Sequence, residues 1–393
     1  MPEKPKYRVL EYCVMTTLFW FSNYSFVPYL ALRGNLYTEN TVLVGIMLGS
    51  YGFAQLLLRI PIGILADRYN NRRFFIRMGC VSSAVAAVGL FFAPNIYVMI
   101  LCRFISGAAV SVWVPMTVLF ASIHAPGNSV RSLTLLNGCN YLGQFLSAIL
   151  AIPVAARYGI GAAFMLAAAA AAPSIVLSFR LEETPLNRPP LSVDELLRIG
   201  RTKWVLAISV CGILCQLMTY TSVGYVPLLA AMLGLDPNST AITQAIFTLG
   251  SFTFSLLATR LFVSRFGCRN SLIGTLTLQV IMLSIQPLAP SLVFLCMMIF
   301  VNGIACGVSM SLMIGLVVLP FPYEKQSTAM GFYQAIYGLG MLSGPVLVGL
   351  VMQRFSLATA FQTSAAIGIA APAVAFLFLQ DERKTPPCEN TSI

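Results

Sequence analysis

Two arginines set inside apolar runs are the residues of this 393-residue chain best suited to bind or move charge. Arg103 lies in Leu101-Cys102-Arg103-Phe104-Ile105-Ser106-Gly107, ~10 Å of helix rise from the nearer end of its run. A guanidinium at such a depth costs roughly 2.5–3.5 kcal/mol on insertion scales, so it faces a cavity or a partner. Substrate contact or coupling is the expected role, with bonding to backbone carbonyls or snorkelling as the structural alternative. Arg59, at similar depth in another run, is expected to snorkel toward a charged loop or to brace Asp67, and is a structural candidate.

No acid accompanies them. All thirteen carboxylates, from Glu3 and Glu11 through Asp67, Glu182 and Glu183 to Glu389, fall outside the middle of the apolar runs. A carrier of permanent cations needs a buried counter-charge, and proton coupling commonly uses a buried carboxylate, for which only Glu11 and Asp67 are at hand. The balance favours an anionic or neutral solute, or one that brings its own proton. Uncharged polar residues sketch where it would bind. Asn137, Asn140, Tyr141 and Gln144 follow i, i+3, i+4, i+7 spacing, one face of a helix. Trp20, Asn23 and Tyr24 do the same on the first run. Tyr220, Asn302, Tyr333 and Tyr337 stand on later ones. Each could equally make interhelical hydrogen bonds, worth ~0.6 kcal/mol on average.

These residues need a frame that holds them inside a bilayer. With 58% hydrophobic residues, 9% charged and a mean hydropathy of +0.82, the chain cannot hide its apolar side chains in an aqueous globule. Runs of about 20 apolar residues suit helices crossing a ~30 Å hydrocarbon core. Twelve are predicted, over 9–32, 42–66, 74–93, 96–123, 132–156, 159–179, 204–233, 241–263, 271–288, 292–319, 327–352 and 358–379. With both termini cytoplasmic, nineteen Lys and Arg fall on inner loops and tails, and only Arg33, Arg157 and Arg354 on outer loops. That bias fixes the orientation. The net charge of +11 then reports topology and attraction to anionic lipid. The first run is too long for a signal peptide and lacks a cleavage site, so it reads as a retained helix. Nine of ten cysteines lie in or beside apolar helices and read as small packing residues, and His124 as a structural interfacial histidine.

The second run ends in Gly63-Ile-Leu-Ala-Asp67-Arg68-Tyr-Asn-Asn-Arg72-Arg73, more order than a stop-transfer signal requires. A decayed copy follows 197 residues later, with Ser264 for the acid and Arg265 and Arg269 retained. Phe26-Val27-Pro28-Tyr29-Leu30-Ala31 likewise matches Tyr225-Val226-Pro227-Leu228-Leu229-Ala230 at an offset of 199. The chain therefore divides into a six-helix bundle over 1–180, a linker over 181–203, a second bundle over 204–380 and a tail over 381–393. Within the linker, Ser192 and Glu195 form a possible capping box for a short amphipathic helix on the inner surface, a solvated tether being the alternative.

Taken together, the two halves, the Gly-x-x-x-Asp-Arg-x-x-x-Arg-Arg loop, its copy and Glu183-Thr184-Pro185 after the sixth helix resemble the major facilitator superfamily along essentially the whole chain. The resemblance implies a secondary transporter whose two pseudo-symmetric bundles rock about a central cavity. It also implies that Gly63 presses the second helix against the eleventh, near Ser327, and that Asp67 sits at that helix's N-terminus. A carboxylate there gains ~0.3–1 kcal/mol. Arg68, Arg72, Arg73, Arg265 and Arg269 complete a cytoplasmic gate in that picture. Arg103 followed four residues later by Gly107 resembles a second signature, often associated with proton coupling. Gly138, Gly143 and Gln144 depart from the Gly-Pro pattern of the drug-efflux branches.

The expected function is secondary transport of a small organic solute across a bacterial-type inner membrane, with proton-linked multidrug or metabolite efflux as the alternative. A lipid translocase or solute sensor on the same fold stays open, whereas no cluster of acids, His or Cys at one membrane depth suggests an enzyme. The expected partners are the solute, a coupling proton or counter-transported solute, and membrane lipid. Neither a cofactor nor nucleic acid is expected, and the chain is expected to act as a monomer.

Overall fold

The computed structural model describes residues 6–123, 129–183, 193–321 and 323–379; His124, Ser192, Thr184, Pro185 and the tail lie outside them. The described chain is helical throughout its apolar runs. In chain order the main helices are α1 (Lys6–Tyr24), α2 (Thr41–Arg68), α3 (Arg72–Phe92), α4 (Ile96–Ile123), α5 (Ser129–Tyr158), α6 (Ala162–Phe179), α7 (Lys203–Met232), α8 (Ala241–Ala258), α9 (Ser264–Ile285) and α10 (Leu292–Val318). The last two are broken: α11 runs Tyr323–Ile336 and Gly338–Met352, α12 Leu357–Gly368 and Ala370–Phe378.

Among the described residues, eleven helices are long and apolar enough to cross a membrane. Outside that set is α1, in which Arg8, Glu11 and Asn23 dilute the apolar residues. Yet α1 packs on α5 and α6 as α7 packs on α11 and α12, so it holds the matching place in its half. The other pairings repeat in the same way, α2 on α4 as α8 on α10, and α3 on α6 as α9 on α12. The halves meet along α2 with α11 and α5 with α8. The repeated Val-Pro segment does not fold identically. Pro28 opens a 3-10 turn over Val27–Tyr29 that ends α1, whereas Pro227 sits inside continuous α7.

Local chemistry sets the ends. Asn40 and Asn95 side chains accept from Val42 N and Val98 N, each at 3.0 Å, capping α2 and α4. At the other end of its half, α6 is closed by Arg77, whose Nε donates to Ser178 O at 3.2 Å and whose guanidinium lies 4.9 Å from the Phe179 ring centroid. In the second half Arg269 does the equivalent for α12. It donates to Phe376 O at 2.6 Å and lies 5.0 Å from the Phe376 ring centroid. The short linker helix, Val193–Gly200, does not lie free on the surface. Leu196 and Ile199 are buried, Lys325 bridges to Glu195 at 3.5 Å, and Gly200 abuts the Phe332 ring of α11.

Helix contact is closest where a Cβ is missing. A methyl group at Gly45 of α2 would stand 2.4 Å from Pro345 O of α11, and one at Gly340 would stand 2.0 Å from Ile213 O of α7. Around Gly138 nothing lies within 4 Å. Gly340→Ala should therefore lower the thermal unfolding midpoint in detergent, by overpacking worth about 1–3 kcal/mol, while Gly138→Ala leaves it unchanged or raises it. Arg77→Ala and Arg269→Ala should each cost about 1 kcal/mol and add in the double variant, because they close separate helix ends; a strong departure from additivity would show that the two ends are coupled.

Candidate functional site

Where the halves meet, α2 presents Tyr51, Gln55 and Arg59 at i, i+4, i+8, one face of a helix. That face is buried, with Arg59 only 2% exposed. Arg59 neither snorkels nor braces Asp67. Its Nη1 donates to Gln334 O and to the Tyr337 hydroxyl of α11, both at 3.0 Å, and its Nη2 donates to Gln55 Oε1 at 2.5 Å. The side chain thus ties the first half to the second. A longer path to solvent explains why: the charged loop lies two turns further on, and α11 supplies a carbonyl freed by the break before Gly338 much nearer.

Arg103 of α4 is 3% exposed and stacks on the ring of Tyr51, its guanidinium carbon 4.1 Å from the centroid, with Phe26 at 5.7 Å. Among the described residues, only Ser106 Oγ, at 3.2 Å, accepts a hydrogen bond from it. Ser106 in turn donates to Asn23 Oδ1 at 3.3 Å, and Asn23 Nδ2 donates to Ser83 Oγ at 3.0 Å, so α1, α3 and α4 share one polar network. Tyr51 also stacks on Tyr220 of α7, with ring centroids 6.0 Å apart. Tyr24 lies within electrostatic reach of Arg103, Tyr51, Tyr220 and Tyr337. Four tyrosines from four helices therefore surround the two arginines.

The second half carries a neutral version of the same network. Asn302 stands 199 residues after Arg103, and its Nδ2 donates to Ser222 Oγ at 3.1 Å, Ser222 being 199 after Asn23. Ser222 then donates to Gln286 Oε1 at 3.0 Å. Tyr333 stacks edge-on against Tyr337 at 5.3 Å. On α5, Gln144 donates to Asn140 Oδ1 at 2.7 Å, Tyr141 packs on Phe252 of α8 at 5.9 Å, and Asn137 is half-buried. Tyr141 of this stripe thus meets the second seam between the halves while lying within electrostatic reach of Tyr337. Several central polar atoms are buried without a protein partner, among them Arg59 Nε, Arg103 Nε, Trp20 Nε1, Asn302 Oδ1 and Gln334 Oε1.

The charged loop is organised around Arg72, itself 3% exposed. Arg72 Nη2 donates to Asp67 Oδ1 at 2.6 Å, and Nη1 reaches Glu183 Oε1 at 3.4 Å and Asn70 Oδ1 at 3.1 Å. Glu183 Oε2 also accepts from Arg73 N at 3.0 Å. Asp67 is thus paired within its own loop, and the nearest contact for a Cβ at Gly63 is Val114 of α4, at 3.8 Å. Arg68, the Arg73 side chain and Arg265 are exposed, and Arg269 closes α12.

Participants that escape sequence reasoning include Tyr51, Gln55, Ser106 and Glu183. Tyr51 is separated from Arg59 by helical spacing that a search for polar stripes would catch, but Ser106 and Glu183 become partners only through tertiary contact.

At the other end of the seam, Tyr29 Oη donates to Asn238 O at 2.9 Å and Thr41 Oγ1 to Gly349 O at 2.7 Å, again joining the halves. The arrangement as a whole matches known proteins. The family profile of the Major Facilitator Superfamily covers residues 12–228 and 208–392. An uncharacterised transporter of Buchnera aphidicola subsp. Schizaphis graminum is 28% identical over 181 residues, so the match spans 45% of that relative and 45% of this chain. An uncharacterised MFS-type transporter of Methanocaldococcus jannaschii is 21% identical over 368 residues, 90% of this chain and 93% of the relative. Among solved structures, the nucleoside transporter NupG aligns with a TM-score of 0.75 at 14% identity, over 95% of this chain and 99% of that one. The human organic anion transporter MFSD10 (TETRAN) gives 0.70 at 16% identity, over 95% and 100%. With eleven helices long and apolar enough to cross a membrane among its described residues, and with its repeated packing, the chain belongs to the Major Facilitator Superfamily and is a multi-pass plasma-membrane transporter.

Proposed function

We propose that this transporter moves a small organic anion by alternating access, with Arg103 and Arg59 in its binding site. One observation carries the reading. Two guanidiniums, 3% and 2% exposed at the junction of the halves, have neutral partners and aromatic faces but, among the described residues, no carboxylate. Removing an ion from water costs several kcal/mol even after relaxation, and neutral hydrogen bonds offset only part of that. A substrate carboxylate or phosphate would supply the missing charge. A cationic drug would raise the repulsion, so proton-linked efflux of cations is disfavoured.

The bundles over 1–180 and 204–380 would rock about this site, with 181–203 as tether. Positive-inside orientation puts Tyr29 and Asn238 at the outer face, so their bond supports an outward-closed state. In the opposite state Asp67 would exchange Arg72 for the start of α11, closing the inner face. Arg68 and Arg73 remain free for lipid phosphate.

In a thermal-shift screen of the purified transporter, an organic anion at 100 times its Kd should stabilise the fold by about 2.7 kcal/mol, and Arg103→Gln should abolish that shift. Stabilisation of both proteins by lipophilic cations, and of neither by anions, would defeat the reading. Asp67→Asn should slow uptake into proteoliposomes roughly fivefold or more with little loss of folded protein; unchanged rates would remove the loop from the gating step.

A further inference from the structure

We infer that the substrate is a dianion with its two charges at opposite ends, a short α,ω-dicarboxylate held between Arg103 and Arg59. The inference rests on the anion reading above and narrows it. A monoanion would neutralise one of the two central guanidiniums and leave the other buried and uncompensated; a dianion answers both.

Geometry separates the two anchors. Arg103 lies on the ring of Tyr51, and Arg59 follows Tyr51 by eight residues on the same face of α2. Eight residues of helix correspond to ~12 Å of backbone rise, but the Arg59 guanidinium turns back one turn to Gln55 Oε1, so side-chain reach rather than that rise sets the gap between the charges. One short carbon chain with a carboxylate at each end, bonded at roughly 2.8 Å, meets both anchors, and the length series below reads the gap. Each arginine also keeps a buried Nε–H with no protein acceptor. Between them stand Tyr24, Tyr51 and Tyr220, with Tyr337 beside Arg59, whose hydroxyls can donate to carboxylate oxygens.

The present partners of Arg59 are all neutral: Gln334 O, the Tyr337 hydroxyl and Gln55 Oε1. A carboxylate forms hydrogen bonds roughly twice as strong, so it displaces such acceptors. Occupancy at Arg59 would then loosen a bond between the halves, while occupancy at Arg103 would not. The second carboxylate is therefore the one that reports binding to the transport step.

Isothermal titration of the purified full-length protein with butyrate, succinate, glutarate, adipate and methyl phosphate tests this. One or more of the dicarboxylates should bind about tenfold tighter than butyrate and methyl phosphate, with affinity passing through a maximum along the length series. Arg59→Gln and Arg103→Gln should each bring the best dicarboxylate down to the butyrate level. Equal affinity for butyrate and every dicarboxylate, or tightest binding of methyl phosphate, would overturn the end-to-end dianion while leaving an anion carrier. Binding of none of the five anions would overturn the anion reading itself. If either variant fails to fold, the length series on the unaltered protein decides the question alone.

Discussion

A buried guanidinium without a carboxylate is the constraint that organises the centre of this transporter. The arginine cannot shed its proton at any accessible pH, so the fold must stabilise the cation by other means. For Arg103 these are the Tyr51 ring and the Ser106 hydroxyl; for Arg59, an α11 carbonyl, a tyrosine hydroxyl and a glutamine. Cation–π contact contributes about 2 kcal/mol or more once desolvated, and a hydrogen bond to a charged group ~1.5–3 kcal/mol. These terms make the charges tolerable, and they leave an electrostatic deficit that an anion can fill.

The two halves share packing but divide the chemistry. Arg103 and Asn302 occupy equivalent sequence positions 199 residues apart, yet one ends a network in a charge and the other in an amide. The loops diverge in the same sense. In the first, Arg72 gathers Asp67 and Glu183; in the second, where Ser264 replaces the acid, Arg269 turns instead to the end of α12 and does there what Arg77 does for α6. Where the loop has no acid at the equivalent position, the arginine caps a helix end instead. The fold keeps its symmetry because apolar packing sets it, while the polar sites drift apart residue by residue.

Much of this was legible in the chain before any coordinates. Apolar run lengths and the asymmetry of Lys and Arg specify helices and orientation, because bilayer thickness and the cost of exposed backbone leave few alternatives. The depth of Arg103 marked it as central for the same reason. What stayed hidden depends on tertiary direction. Snorkelling was a sound expectation for Arg59 on an isolated helix, but a break in α11 places an acceptor closer than the surface. The resemblance implies a contact of Gly63 with α11, whereas a Cβ there would come nearest to Val114 of α4, and the Arg72 partner of Asp67 follows only from the folded loop. Helical spacing on α5 names a face without naming the neighbour, Phe252 of α8, that Tyr141 meets.

Direction also separates the two kinds of contact along α2. Its glycine contacts with α11 are backbone against backbone, such as Gly45 with Pro345 O, and dispersion of that sort is nearly indifferent to small sliding. The bonds of Arg59 to Gln334 O and Tyr337 are not, because hydrogen bonds weaken steeply as their angle closes. Any motion that parts α2 from α11 at this level must therefore give Arg59 new acceptors or leave a naked charge in a low-dielectric interior. An empty transporter has few to offer; one holding an anion has them ready. If the proposed anion binds here, the side chain that helps to hold the halves together would also be the one that substrate most readily releases, linking occupancy to motion without any separate relay.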